Sequence, residues 1–165
     1  RDRLRSRGLG DVYKRQKICR AAALHDVGKI SISDTILNKK GRLTDEEMEI
    51  MKTHTTKGYE IIRGFKLNDD EEQERYSLDI AKYHHERWDG KGYPEGLQGD
   101  EIPLWSQIVG IVDVYDALVS PRVYKKAFSH EKAMEMILAG ECGTFNPILL
   151  ECLKDAEELL KNEYK

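Results

Sequence analysis

Cysteine is scarce and poorly placed for covalent bracing: Cys19, Cys142 and Cys152 are odd in number, widely spaced and form no CxxC pair. That excludes a disulfide scaffold and fits a reducing cytosol. Long apolar runs are missing as well. Stretches such as 108–112 fall far short of the ~20 residues a membrane span needs, and no signal-peptide pattern opens the chain. Charge of one sign is also lacking, since 27 Lys and Arg nearly balance 30 Asp and Glu for a net charge of -3. Neither nucleic acid nor an anionic membrane surface is therefore an expected partner, and any phosphate binding has to be local. Strand alternation and internal repeats are absent too.

What is present is enough for one compact domain with one core: 165 residues, of which 39% are hydrophobic. The first sixteen residues stand apart. Arg1, Arg3, Arg5, Arg7, Lys14 and Arg15 face only Asp2 and Asp11, with no apolar stripe at helical spacing. This segment carries +4 and leaves -7 for residues 17–165. A basic arm that binds a partner is one reading, a disordered tail or spurious extension the other, and composition favours the second. The folded domain is expected over 17–165.

From Lys17 onward the pattern is helical. An apolar run over 18–24 leads directly into His25 and Asp26. Thr44 followed by Glu47 is a capping box, and Met48, Met51, Ile61 and Ile62 continue one helix to Gly64. Beyond an acidic stretch at 68–74, Leu78, Ile80, Ala81 and Tyr83 carry a further helix into His84 and His85, expected to end at Asp89 and Gly90. Gly90, Gly92, Pro94, Gly96, Gly99 and Pro103 then forbid regular structure and predict a long loop. A strongly apolar helix is expected at about 104–119, another at about 129–138, and a last one with Asn146 as N-cap and Pro147 at its first position. The fold class is all-α.

Ligand-type residues fall at His25 and Asp26, at His54, at His84 and His85, and at Asp113, in steps of 28, 30 and 28 residues. Each group sits on or at the end of a different helix, and converging helices can build a metal site of carboxylates and histidines in a bundle core. Imidazole nitrogen with carboxylate oxygen suits iron, manganese, zinc or nickel. Asp113 lies in a helix apolar on nearly every face, where a carboxylate needs a positive partner; a metal or a hydrogen bond at the helix end would each serve. Adjacent His84 and His85 are separated by about 100° of helical rotation, so both face one centre only near a helix end or between two metals.

The run His25-Asp26-Val27-Gly28-Lys29 resembles the HD signature of the HD phosphohydrolase superfamily. His84-His85-Glu86-Arg87-Trp88-Asp89-Gly90-Lys91-Gly92-Tyr93-Pro94 resembles the segment that names its HD-GYP family. Similarity extends through Gly96-Leu97, Gly99, Ile102-Pro103 and Asp113-Val114-Tyr115-Asp116-Ala117-Leu118, over roughly 22–150. The resemblance implies an HD-domain helical bundle with a long glycine-rich loop. It further implies about two or three divalent metal ions, iron or manganese foremost, and hydrolysis of cyclic di-GMP to pGpG or GMP in bacterial cytoplasmic signalling. By position it implies His25, Asp26, His54, His84, His85 and Asp113 as metal ligands, with Asp26 bridging. Lys29 would be catalytic with Asp26, neutralising a non-bridging oxygen or protonating the leaving 3′ oxygen. Arg122 and Lys125 resemble a phosphate-contacting pair, although the residues alone read equally well as solvated charges at a helix end. Asp116, three residues past Asp113, would orient a ligand or the substrate. Gly92 and Tyr93 would border the substrate, in a loop where a diguanylate cyclase domain is the implied docking partner.

Ser31-Ile32-Ser33, Lys39-Lys40-Gly41, Val119 and Asn146 depart from the family pattern, and none is an implied ligand. Upstream of the HD pair the family places a helix with a further histidine ligand, whereas all five histidines here lie at or after His25. The metal held by His25, Asp26 and Asp113 would then lack one protein ligand. The expectation is a fragment of a longer protein with a receiver or sensor domain upstream. Two rival readings stay open: an HD phosphohydrolase acting on another nucleotide, and a non-catalytic module that binds cyclic di-GMP or a cyclase.

Overall fold

The computed structural model describes residues 12–65, 70–121 and 127–163. Among them every regular element is helical, and an isolated antiparallel bridge joins Asp89 to Gln98. The chain divides into two compact units, Arg1–Lys39 with Leu43–His84 and Lys40–Arg42 with His85–Lys165. Each has its own buried cluster, where composition pointed to a single core.

The first unit holds α1 (Val12–Ala22), a 3-10 turn (Val27–Ser31), α2 (Asp34–Leu37), α3 (Asp45–Lys52), α4 (His54–Phe65) and α5 (Glu71–Tyr83). Helix α1 starts at Val12, so a boundary drawn between residues 16 and 17 runs through it. Both α1 and α4 pack on α5, and the 3-10 turn packs on α4. Ile18 and Ala21, Ile62, and Tyr76, Ile80 and Ala81 are buried from these three helices, each large side chain contributing about 1.5–3 kcal/mol. Lys17 is buried and pairs with Asp70 and Glu72, each at 2.8 Å, which ties α1 to the start of α5. Asp70 also caps α5 by accepting from the amides of Glu72 and Gln73.

The helix expected to run unbroken from Thr44 to Gly64 is two helices. Thr44 and Glu47 do form a capping box, but α3 stops at Lys52 and α4 starts at His54. Threonines account for the break. The hydroxyls of Thr53, Thr55 and Thr56 donate back to the carbonyls of Ile50, Lys52 and Thr53 at 2.6, 3.0 and 3.0 Å, a pattern that competes with the helical ladder and bends it. Helix α5 likewise stops earlier than expected, at Tyr83 with His84 as its C-cap.

The second unit holds a 3-10 turn (Gly99–Glu101), α6 (Leu104–Val119), α7 (His130–Leu138), α8 (Pro147–Asp155) and α9 (Glu157–Glu163). Its core gathers Ile111, Tyr115 and Leu118 of α6 with Ala133, Met134 and Ile137 of α7, Phe145 and Leu153. Asn146 caps α8 by accepting from the Ile148 amide at 3.0 Å, with Pro147 at the first helical position. Helix α6 has the expected limits but is not buried all round, since Val112 and Asp116 are exposed. No helix among the described residues is long and apolar enough to cross a membrane.

Candidate metal centre

Close backbone packing builds the centre in the first unit. After α1 ends, the chain turns through His25 and Asp26 into the 3-10 turn, where Gly28 lies directly against α4. A Cβ at Gly28 would stand 1.9 Å from the His54 carbonyl oxygen and 2.5 Å from the Gly58 nitrogen. Gly58 in turn faces Ala81 of α5, so three small residues let turn, α4 and α5 approach one another. That approach brings His25 and Asp26 from the turn, His54 from the start of α4, and His84 from the end of α5 to one place.

Three imidazoles there are oriented alike. Nδ1 of His25, His54 and His84 lies 2.7, 2.8 and 2.9 Å from the carbonyl oxygens of Ala22, Met51 and Ile80. A carbonyl can only accept, so each Nδ1 carries the hydrogen and each ring turns its Nε2 inward. The inward nitrogens meet each other and Asp26: His54 Nε2 stands 3.4 Å from His84 Nε2, and 3.4 Å from Asp26 Oδ1. His25 Nε2 lies 3.3 Å from Asp26 Oδ2. Asp26 Oδ1 is itself buried and accepts no hydrogen bond. Lone pairs converging on a buried carboxylate oxygen repel one another unless a cation lies among them.

The residues fit a metal ion. Atoms each about 2.1 Å from a common ion stand roughly 3.0 Å apart at octahedral angles and roughly 3.4 Å apart at tetrahedral ones. The ligand atoms of His25, Asp26 and His84 all lie within 4.8 Å of one another. Protonation states agree. Burial works to raise the Asp26 carboxyl, but the Lys29 ammonium, through its hydrogen bond and its charge, outweighs it and holds the group well below the usual range. Burial pushes the His54 imidazole below its ordinary value, keeping it neutral. Lys29 donates to Asp26 Oδ2, one 3-10 turn along, so its ammonium sits at the rim of the centre.

The other expected site residues belong to the second unit. His85 stacks on Tyr93, with ring centroids 4.8 Å apart at 26°. Asp113 is half-buried on α6 and acts electrostatically on the guanidinium of Arg87, a cationic neighbour that spacing along the chain did not reveal. Asp116 accepts from the Ser120 hydroxyl at 3.1 Å near the end of α6. Gly92 is pressed against backbone, where an added Cβ would stand 2.4 Å from Glu86 Cα. Arg122 and Lys125 lie outside the described residues. Sequence reasoning missed Gly28, Gly58 and Glu86, although Gly28 and Glu86 lie inside the motifs it quoted.

A family model described as the HD domain matches residues 6–145. A cyclic di-GMP phosphodiesterase of Vibrio cholerae is 44% identical over 140 residues, covering 84% of this chain and 28% of that protein. A cyclic di-GMP phosphodiesterase of Thermotoga maritima is 42% identical over 158 residues, covering 96% of this chain and 42% of its own. A 3'3'-cGAMP-specific phosphodiesterase 2 of Vibrio cholerae is 43% identical over 133 residues, covering 81% and 25%. The chain thus spans about a quarter to two fifths of the length of these curated relatives.

Proposed function

The chain belongs to the HD domain family and to its HD-GYP branch, and from that membership we propose that it is a metal-dependent phosphodiesterase that hydrolyses cyclic di-GMP. One observation carries the reading: three imidazoles with Nδ1 on backbone carbonyls turn Nε2 toward the Asp26 carboxylate, whose buried Oδ1 accepts no hydrogen bond. His25, Asp26, His54 and His84 would hold divalent metal, iron or manganese, and the family resemblance adds His85 and Asp113 to the ligand set. Bound ions supply Lewis-acid polarisation of the phosphoryl oxygens and screen the phosphodiester charge.

The chain's own residues do the rest. The carbonyls of Ala22, Met51 and Ile80 hold the three rings in one tautomer. Asp26 stays ionised and carries the negative charge of the centre. Lys29, held by Asp26, places its ammonium to neutralise a non-bridging oxygen or to give a proton to the leaving 3′ oxygen. Tyr93 and Gly92 border the substrate, and Arg122 and Lys125 take its phosphates. Identity to a relative named for 3'3'-cGAMP favours a second reading, that of a cyclic dinucleotide with one adenine.

The test combines metal analysis of the protein with nucleotide chromatography of separate reactions on cyclic di-GMP and 3'3'-cGAMP, after chelation and after reloading with iron or manganese. Turnover of cyclic di-GMP that follows metal content supports the proposal. Metal-loaded protein that leaves cyclic di-GMP intact while cleaving 3'3'-cGAMP replaces it with the second reading.

A further inference from the structure

Glu86 is a buried carboxylate of the second unit that the chemistry above does not use. Only 5% of the residue is exposed. Its Oε1 accepts from the backbone amides of Glu95 at 2.7 Å and Gly96 at 3.1 Å, and its Oε2 from that of Leu97 at 3.0 Å. Three successive donors of an irregular loop converge on one side chain. A carboxylate can accept from all three, whereas an amide would set an NH2 against one of them.

Side chains on either side of Glu86 line two different cavities. His85, Arg87, Asp89 and Lys91 line an open pocket of about 420 Å³ together with Tyr93, while Glu86 and Trp88 line a separate small cavity with Ile102 and Phe145. The loop returns against this segment. Gly92 fits only because it lacks a Cβ, which would stand 2.4 Å from both Glu86 Cα and Arg87 N. The Tyr93 amide donates to the His85 carbonyl at 3.3 Å, and its ring stacks on the His85 imidazole. Tyr93 is therefore held from before by Gly92 and from after by the three amides on Glu86.

We propose that Glu86 is the positioning residue of the glycine-rich loop, holding three successive amides from inside so that Tyr93 stays stacked on His85 and the imidazole keeps one orientation. The inference rests on the phosphodiesterase reading only where activity is the readout. Without the clamp, Tyr93 loses its second anchor and its stack on the His85 ring loosens.

Glu86→Gln and Glu86→Ala, compared with the wild-type chain by amide hydrogen exchange and by the proton NMR signals of the His85 ring, test this. In Glu86→Ala, exchange at Glu95, Gly96 and Leu97 accelerates at least ~100-fold, each factor of ten being about 1.4 kcal/mol. The His85 ring signals lose the shift imposed by the stacked Tyr93. Glu86→Gln falls between, about tenfold, and carries the test if the alanine variant fails to fold. Protection in α4 and α5 stays at wild-type values. Unchanged exchange at the three amides, or unchanged His85 signals, in both variants overturns the proposal. If the wild-type chain cleaves no cyclic dinucleotide, the functional reading fails while these two measurements still decide the role of Glu86.

Discussion

Replacing Gly28 with alanine tests how the metal centre is assembled. The added Cβ would lie 1.9 Å from the His54 carbonyl oxygen, 2.5 Å from the Gly58 nitrogen and 2.8 Å from the His54 carbonyl carbon. All three are backbone atoms, so no rotamer relieves the clash. Turn and helix must separate by roughly 1 Å before the shortest contact becomes tolerable, and overpacking of this kind costs about 1–3 kcal/mol. For a chain of this length that lowers Tm by roughly 2–12 °C. The same movement acts on the site, because Gly28 follows Asp26 closely and touches His54 directly. An Asp26 Oδ1 to His54 Nε2 separation of 3.4 Å cannot absorb such a shift and still serve one ion. A misplacement of ~1 Å is enough to reduce turnover about 10²-fold. Thermal melts, metal content by plasma emission, and cyclic di-GMP turnover should therefore all fall in Gly28→Ala. A variant with wild-type Tm and wild-type metal content would refute the claim that this backbone contact sets the ligand geometry.

Acidification gives a second prediction, through His54. Burial holds its folded-state imidazole below the usual 6.5, so the unfolded chain binds a proton that the folded chain refuses. The associated stability is present above pH 6.5 and is lost as pH falls, so Tm of chelator-treated protein should drop from about pH 7 to about pH 5. An identical slope in His54→Gln would remove His54 as its source. Lys29→Ala should lower kcat for cyclic di-GMP by ~10²-fold or more while metal content stays at the wild-type level; loss of metal instead would make Lys29 a structural partner of Asp26. Asp113→Ala should weaken metal binding at least ~10-fold, read by competition with a chelating dye. Unchanged affinity would take Asp113 out of the ligand set.

Local signals were legible wherever neighbours along the chain decide the outcome. The Thr44 and Glu47 box, the Asn146 cap with Pro147, and the limits of α6 follow from side chains that bond to amides within a turn, or from a sustained apolar run. The expectation failed where a long-range or competing bond overruled periodicity. Apolar spacing ran straight through Thr53, but threonine hydroxyls had carbonyls to bond and broke the helix there. Apolar spacing also offered no reason to end α5 at Tyr83. Beyond it the chain leaves the helix through a turn, and Glu86 is engaged by amides nine to eleven residues further on.

The sequence by itself determined the helical class, the order of the ligand-type residues, and the family, because these depend on residue type and spacing alone. It named the histidines but could not orient them. Tertiary structure decided which ring nitrogen faces inward, since that depends on carbonyls the backbone happens to present, and it decided that Gly28 rather than a side chain sets the distance between turn and helix. It also decided that the carboxylate of Glu86 faces the loop, while its neighbours His85 and Arg87 line the pocket. Spacing fixes which residues are near each other along the chain, and only packing between elements fixes which atoms meet.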